Sequence, residues 1–305
     1  GFKWYSDNEE VAVVDDDGKV YLALPKFIVA QLDPEDYSRI LPESVRDMTP
    51  FMPTDNEPFE GPSLRKRGDT YYYIYIQNTG KVAENGPVPT RMAYLTAKDP
   101  LGPYMYQGLI VTNHNYPDAG NVHGSFEPFM GQYWLQYHKS VPGLRLTRVP
   151  NLDPMEFNED GTIREVKMST SGVRGAFGPG ETVRAGGAVE YSTGREPGMY
   201  QLKRGAYDFV SFQQDGQWAC YRYFTFPEAP KSLTVSVFTG AHGGRLEVRK
   251  GTPDGPVIGS ATLPDTGWKW KEITFPVENG TMEKETLYLV ASQAPFSVKY
   301  FRFAN

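Results

Sequence analysis

The sequence predicts an all-β protein, and its composition is the first reason. Aromatic residues make up 14% of the 305 residues, with 20 Tyr and 17 Phe. Glycine and proline are also abundant, at 31 and 25 residues. This mixture is typical of many short strands joined by turns, and it leaves little room for long helices. The length is sufficient for two domains of ordinary size.

The second reason is a strand–turn–strand unit that recurs in the first half of the chain. The turns are acidic or glycine-containing, and a strand rich in Tyr, Trp or aliphatic residues follows each one. The predicted strands are Val11–Val14, Val20–Leu24 and residues 62–64, 71–76, 126–129, 133–137 and 163–166. The units are roughly 40–50 residues apart, which is typical of propeller blades. We therefore predict a β-propeller over residues 1–172.

Two of these turns also permit a functional interpretation. The triplet Asp15–Asp17 suggests calcium, but its spacing lacks the alternating ligands of an EF-hand loop, so we predict a solvated turn. Arg67-Gly68-Asp69 could be an adhesion tripeptide, but its place between two strands favours a hairpin turn.

Beyond a Gly/Ser-rich run at residues 169–179, interpreted as a linker, the pattern changes. Short strands separated by Gly, Pro and Asn turns follow at sandwich-like intervals. They are predicted at Trp218–Phe226, Lys271–Pro276 and residues 232–239, 245–249, 286–291 and 297–303. We therefore predict a β-sandwich of the jelly-roll type over residues 173–305.

Net charge, the length of apolar runs and cysteine content indicate which partners and bonds are not expected. The net charge is −6 with a pI near 5.4 and no basic stripe, which argues against a nucleic-acid partner. No apolar run approaches the ~18–20 residues of a membrane span, so no membrane partner is expected. Cys220 is the single cysteine, which excludes an internal disulfide. The N-terminus shows no signal peptide, but Gly1 leaves a removed one open, so a secreted or periplasmic location is compatible.

Glu60 is the candidate catalytic residue. It precedes the predicted strand at residues 62–64, between Phe59 and a Gly-Pro pair. We expect poor hydration there, which raises the pKa of a carboxyl toward the range of a general acid. The alternative is a surface glutamate before a strand. Phe59 is a candidate substrate contact, because aromatic faces pack on the apolar faces of sugar rings.

Four ordered segments resemble the blades of glycoside hydrolase family 43. They are residues 14–22, residues 60–66 with the turn and Tyr-rich strand that follow, residues 121–125 leading to 131–138, and residues 157–163. The resemblance covers roughly residues 10–170. It implies a five-bladed propeller that cleaves arabinofuranosyl or xylosyl bonds of plant polysaccharide with inversion.

The resemblance also implies roles for individual residues. Glu60 matches the general acid, and Arg148 falls where the family often has a substrate-side arginine. His123 matches a histidine that faces the central channel and in many members contacts a calcium ion, directly or through water. The alternative for His123 is a structural histidine. One calcium ion near His123 is therefore the expected cofactor.

Two departures from the family pattern put catalysis in question. The family has an Asp that tunes the pKa of the acid, and this chain has Glu9 near that place. The family's general base is an Asp in the first blade, and no residue here matches it, so the propeller is expected to be N-terminally incomplete. An inverting hydrolase needs both carboxylates. Three alternatives follow: the gene encodes more than this chain, the chain is a truncated or processed fragment, or it is a shortened relative that binds glycan without cleaving it.

The second domain resembles a carbohydrate-binding module of family 6. The matching segments are residues 216–223, 244–249, 255–259, 266–270, 286–290 and 300–303. The resemblance implies that Trp268 stacks on a sugar, while a core or edge position for Trp268 or Trp270 is the alternative. Positions that usually supply calcium ligands or a sugar-binding Asn hold Arg184, Gly186, Ser297 and Lys299, so no calcium is expected in this domain.

The sequence thus predicts a glycoside hydrolase whose partners are arabinose- or xylose-containing oligo- and polysaccharides, with Glu60 as acid and Glu9 as its modulator. The alternative is a glycan-binding protein without activity.

Overall fold

The structure is a computed structural model that describes residues 11–55, 58–78, 90–112, 122–141, 144–192, 198–202, 206–278 and 280–305. The all-β prediction is confirmed, because the helical content of this part is limited to short 3₁₀ segments. These are Pro25–Phe27, Pro42–Ser44, Thr49–Phe51, Gly172–Arg174 and Ala185–Gly187. None of the helical segments in these ranges has the length and apolar character that a membrane crossing requires.

The chain divides into two compact units. The first contains residues 1–113, 120–139 and 148–167, and the second contains residues 114–119, 140–147 and 168–305.

Three antiparallel sheets make up the described part of the first unit. The first sheet contains β1 (Val11–Val14), β2 (Val20–Leu24), β3 (Ile28–Asp33), β4 (Asp36–Ile40) and β5 (Arg46–Asp47). The second contains β6 (Pro58–Arg67), β7 (Thr70–Asn78), β8 (Thr90–Ala97) and β9 (Met105–Thr112). The third contains β10 (Gly124–Phe129), β11 (Gln132–Val141) and β12 (Leu144–Met155).

Strand β7 of the middle sheet is buried on both faces, as expected for a strand of a propeller blade between two others. Along β7, Tyr73 and Tyr75 belong to the core that also contains Tyr21 of the first sheet. Tyr72 points the other way, and its ring lies 5.5 Å from that of Phe126 in the third sheet. The Tyr-rich strand predicted at residues 71–76 therefore has aromatic contacts on both sides because it has no solvent face.

The end of the first unit is less regular than the sequence indicated. The turn before Ile163 is present, with a hydrogen bond from the Gly161 amide to the Asn158 carbonyl. The strand predicted at residues 163–166 is wrong: Ile163 and Val166 form isolated bridges, to Phe157 and to Val111. Each residue bonds a different neighbour, so no continuous ladder forms.

The second unit contains two sheets. One has the order β15 (Gly198–Leu202), β16 (Ala206–Phe212), β23 (Phe296–Ala304), β18 (Ser232–Phe238), β21 (Lys271–Pro276), with β13 (Val183–Arg184) paired to β23. The other has the order β14 (Glu190–Tyr191), β17 (Trp218–Phe226), β22 (Met282–Gln293), β19 (Gly244–Lys250), β20 (Val257–Leu263).

Aromatic rings from both sheets form the interior of this sandwich. Tyr221 and Phe226 of β17 lie 4.9 Å and 5.1 Å, between ring centroids, from Phe301 and Phe303 of β23. All four side chains are buried. Alternation directs Phe301 and Phe303 inward. The register irregularities of β17 after Arg222 bring Tyr221 and Phe226, five positions apart, to the same face. Edge-to-face and tilted contacts hold the sheets together.

The Gly/Ser-rich run interpreted as a linker is bonded to the sandwich. The Thr170 and Ser171 amides both donate to the carbonyl of Arg222, and the Phe177 amide donates to the carbonyl of Tyr223. The Ser171 side chain is buried. The composition suggested a loose connection, whereas these amides pair with β17 and satisfy backbone groups there.

Candidate functional site

Glu60 lies within β6, between two irregularities of its pairing with β7. Pro58 pairs with Gln77, Glu60 with Ile76, and Ser63 with Ile74, so the register shifts on both sides of Glu60. Gly61, directly after it, has φ of +66°, which favours glycine. Such bulges bend a strand and redirect a side chain, and they are frequent next to active sites.

The Glu60 carboxylate contacts His123. Glu60 Oε1 lies 2.8 Å from Nε2 of His123. The His123 side chain is 12% exposed and that of Glu60 is 36% exposed. The Glu60 carboxylate is therefore partly accessible to solvent, while the His123 ring is mostly covered. The contact joins an acid and an imidazole that are 63 positions apart in the chain.

His123 is held by the strand that follows it. The His138 amide donates to the His123 carbonyl at 3.0 Å, which extends the β10–β11 ladder by one step. The His123 and His138 rings stack, with centroids 5.3 Å apart and an interplanar angle of 21°. Gly124 allows this close approach, because a Cβ there would lie 2.2 Å from the Gln136 carbonyl oxygen.

Gly61 is the second neighbour of the His123 ring. A Cβ added to Gly61 would lie 3.0 Å from Nδ1 of His123 and 3.0 Å from a side-chain carbon of Ile76. The glycine therefore serves two purposes, a left-handed backbone conformation and room for the imidazole.

Two further contacts connect β6 to β10 beyond the site. Arg65 Nε lies 2.7 Å from Oε1 of Glu127, and the Ser63 and Ser125 hydroxyls are 3.4 Å apart. Burial lowers the pKa of the Arg65 guanidinium, and the Glu127 carboxylate opposes that effect. These contacts fix the two strands relative to each other, and thus Glu60 relative to His123.

The residues around His123 do not fit direct calcium ligation. Calcium takes six to eight oxygen ligands, while His123 offers nitrogen and its Nε2 already contacts Glu60. Within the ranges that the structure describes, no group of three or more His, Cys, Asp or Glu is arranged to hold a metal ion. Calcium near His123 stays a prediction from the resemblance.

The structure does not join the other predicted residues of the first unit to Glu60. Phe59 is 49% exposed next to it. Arg148 lies on β12 with an exposed side chain, and no contact described here connects it to Glu60 or His123. Glu9 lies outside the described residues. The sequence assigned no role to His138 or Gly61, although both stand inside the quoted motifs.

The second unit has a cleft of about 460 Å³ around Trp268. Trp268 is 66% exposed, with φ of +54°, so it is not a core residue. Its ring packs on Phe238 at 5.5 Å and lies over Gly240, where a Cβ would come within 2.4 Å. Trp270 is half-buried between Phe209 and Phe238.

Small polar groups line the other side of the cleft. The Ser297 hydroxyl and the Gln213 amide both donate to the Ser211 hydroxyl, at 3.0 Å and 2.5 Å. The Lys299 ammonium lies 5.8 Å from the centre of the Trp270 ring. Arg184 pairs with Tyr300 on the neighbouring strand and is exposed, and Gly186 follows in a 3₁₀ segment. That this domain has no calcium stays a prediction.

Comparison with known families now defines the class of protein. Residues 11–163, half of the chain, match the family model for glycosyl hydrolases family 43. Residues 187–305 match the model for the carbohydrate binding module of family 6. The chain belongs to glycosyl hydrolase family 43, and most of its second unit is similar to a carbohydrate-binding module of family 6.

Three relatives specify the similarity further. The chain is 25% identical to an arabinoxylan arabinofuranohydrolase of Bacillus subtilis (strain 168), over 100% of this chain and 64% of that protein. It is 26% identical to an arabinoxylan arabinofuranohydrolase of Paenibacillus polymyxa, over 95% and 49%. The chain thus spans less than two thirds of both. A solved family 43 arabinoxylan arabinofuranohydrolase from Bacillus subtilis, in complex with cellotetraose, aligns at a TM-score of 0.45 and 25% identity, over 97% and 66%.

Proposed function

We propose that this protein is a glycoside hydrolase that removes arabinofuranosyl or xylosyl groups from plant polysaccharide such as arabinoxylan, with inversion. The observation that carries the proposal is the contact between Glu60 and His123, inside the segment that matches family 43. Two relatives that bear the name arabinoxylan arabinofuranohydrolase support the substrate class.

In the proposed reaction Glu60 is the general acid. Its carboxyl group gives a proton to the glycosidic oxygen while the bond to the anomeric carbon breaks. Water attacks that carbon from the opposite face, and a second carboxylate takes the proton that the water loses. An acid in position contributes about 10²–10⁴-fold to the rate.

His123 orients this acid. When Nε2 carries the ring hydrogen, it donates to Oε1 of Glu60, so the transferable proton belongs on Oε2. One hydrogen bond therefore selects which carboxyl oxygen faces the leaving group. Phe59 and Arg148 remain proposed substrate contacts, and Glu9 remains a proposed modulator of the acid.

The general base has no residue assigned to it in this chain. An inverting enzyme places it roughly 6.5–9.5 Å from the acid so that water fits between base and substrate. The calcium ion expected near His123 is likewise proposed on the resemblance, and no step of the reaction above depends on it.

The test is hydrolysis of arabinoxylan oligosaccharides, with nitrophenyl arabinofuranoside and nitrophenyl xyloside as activated comparison substrates, by the purified chain and by Glu60→Gln. We expect kcat/KM of the variant on the oligosaccharides to fall by about 10²–10⁴-fold, and less on the nitrophenyl substrates, because nitrophenol leaves with little help from an acid. The matched control is Glu159→Gln, an exposed glutamate of the same unit, which should retain the parental rate. Equal rates for parent and Glu60→Gln on the oligosaccharides would remove Glu60 from the mechanism.

The second candidate function is glycan binding without hydrolysis, and the exposed Trp268 beside its cleft favours it. A parent chain that binds xylo-oligosaccharides in calorimetric titration but releases no nitrophenol would support this function over the first. Loss of binding in Trp268→Ala would assign it to the cleft.

A further inference from the structure

We propose that His138 is a positioning residue that fixes the His123 ring and, through it, the Glu60 carboxyl. The inference rests on the proposed function, because it assigns His138 a part in presenting the general acid. His138 contacts the reacting groups through His123, so its role is positional.

Two contacts join the histidines. The His138 amide donates to the His123 carbonyl at 3.0 Å and fixes the backbone. The two rings are nearly parallel, 5.3 Å apart, and this offset stacking fixes the ring plane. Any residue other than proline at position 138 can supply the first contact, but only an aromatic ring can supply the second.

Ring orientation matters because an imidazole turns easily about its outer side-chain bond. The preference of that torsion is broad and roughly two-fold, so neighbours must select one plane. His123 has the ring of His138 and the backbone of Gly61 as such neighbours. Rotation of the ring would carry Nε2 away from Oε1 of Glu60, which now lies 2.8 Å from it.

A role in core packing does not explain His138 as well. Its neighbour Tyr137 points inward, is 4% exposed and donates to the buried carboxylate of Asp153. His138 lies on the opposite face of β11 and is half-buried. Removal of the His138 ring should therefore leave the contacts of Tyr137 and the fold intact.

The experiment compares His138→Ala, which removes the ring, with His138→Phe, which keeps a ring without nitrogen atoms. The matched control is His242→Ala, an exposed histidine of the second unit. We expect His138→Ala to lower kcat by about 3- to 10-fold with little change in KM, the size of one stacking contact. His138→Phe and His242→Ala should stay close to the parent.

A second measurement does not require turnover. The ring nitrogen signals of His123, recorded by NMR on the 305-residue chain, should shift in His138→Ala and return toward parental values in His138→Phe. A parent without hydrolysis would defeat the proposed function, while the NMR comparison still tests the positioning role. Unchanged His123 signals in His138→Ala, or an equal loss of kcat in the Phe and Ala variants, would overturn the inference.

Discussion

Aromatic packing joins the sheets of both units, but the first unit adds charged contacts between its sheets. Lys66 of β6 forms ion pairs with Asp15 and Asp16 in the turn between β1 and β2, and Arg65 forms one with Glu127 of the third sheet. The Arg67 guanidinium lies 4.2 Å from the centre of the Phe157 ring. In the second unit, phenylalanine and tyrosine rings of the two sheets meet in the described interior.

The additional charged contacts of the first unit correspond to the group that this unit has to position, the Glu60 carboxyl. Apolar packing is strong but non-directional, whereas hydrogen bonds and ion pairs depend on angle and distance. A proton donor must be placed within fractions of an ångström, and the unit that contains Glu60 has charged contacts from one strand to both neighbouring sheets. The proposed sugar-binding cleft needs a flat aromatic face, and the exposed ring of Trp268 offers one.

The largest expected effect is a loss of activity on removal of Glu60, the proposed acid of the first unit. Glu60→Ala should lose about 10²–10⁴-fold in kcat/KM on arabinoxylan oligosaccharides, which have a poor leaving group. It should lose far less on a dinitrophenyl glycoside, because that leaving group departs without a proton. Parallel losses on both substrates would assign Glu60 a role other than general acid.

The next largest expected effect is a loss of sugar binding on removal of Trp268, the exposed aromatic residue of the second unit. Trp268→Ala should weaken the binding of xylo-oligosaccharides by about 10-fold, as expected for loss of an aromatic stacking surface. Isothermal titration gives the dissociation constants. Phe129→Ala is the matched control, since Phe129 is 65% exposed against 66% for Trp268 but lies in the first unit. A comparable loss in both variants would disprove specific binding in the cleft.

Substitution of Gly61, compared with that of Gly68, separates the cost of backbone strain from the cost of contact with His123. Gly61→Ala should lower the free energy of unfolding by about 2 kcal/mol, from left-handed backbone strain and crowding. Gly68→Ala shares a positive φ in the same hairpin but has nothing within 4 Å, so it should lose only the strain contribution. Denaturant unfolding measures both, and equal losses would contradict the importance of the His123 contact.

The smallest expected effect is electrostatic and depends on pH. Burial alone would raise the pKa of Asp15, but hydrogen bonds from Lys66 and Tyr71 lower it on balance. Burial and the Asp15 contact raise the pKa of Tyr71 to about 12. A lowered folded-state pKa gives stability that is present above the unfolded value of 3.8 and lost as the pH falls through the folded value.

Asp15→Asn should therefore cost about 1 kcal/mol at pH 6 and little at pH 2. Denaturant unfolding at the two pH values measures the difference, with the exposed Asp254→Asn of the second unit as control. A cost for Asp15→Asn that does not change with pH would mean that the ion pair with Lys66 does not stabilise the first unit.

The sequence predicted best where a sharp turn bounded an aromatic or β-branched run. The strand after Gly68-Asp69, for example, extends over Thr70–Asn78 in the structure and contains the predicted residues 71–76. β8 was not predicted, because its Thr, Arg, Met and Ala mixture has no such signal. Its strand character comes from pairing along its whole length with β7, and local propensity does not report tertiary pairing.

The candidate site was likewise predicted only in part: the sequence indicated residues but not their contacts. The sequence motifs indicated Glu60 and His123 separately, and the structure brings them to 2.8 Å. The stacked ring of His138 could not be derived, because alternation along a strand fixes a face but not a ring contact across it. The expected poor hydration of Glu60 stays a prediction, since its side chain is 36% exposed, and the register shifts that flank it leave no trace in local composition.

Strand β6 has two parts: an irregularly paired part that carries Glu60 and a regularly paired part that forms the hairpin with β7. From Ser63 to Arg67 the ladder with β7 is continuous, while the register shifts lie between Pro58 and Ser63. Insertion or deletion of a residue among positions 59–62 would redirect the Glu60 carboxyl group without moving the β6–β7 hairpin. If Glu60 is the proposed acid, such a change would alter which glycosidic bond it protonates while the supporting hairpin stays the same.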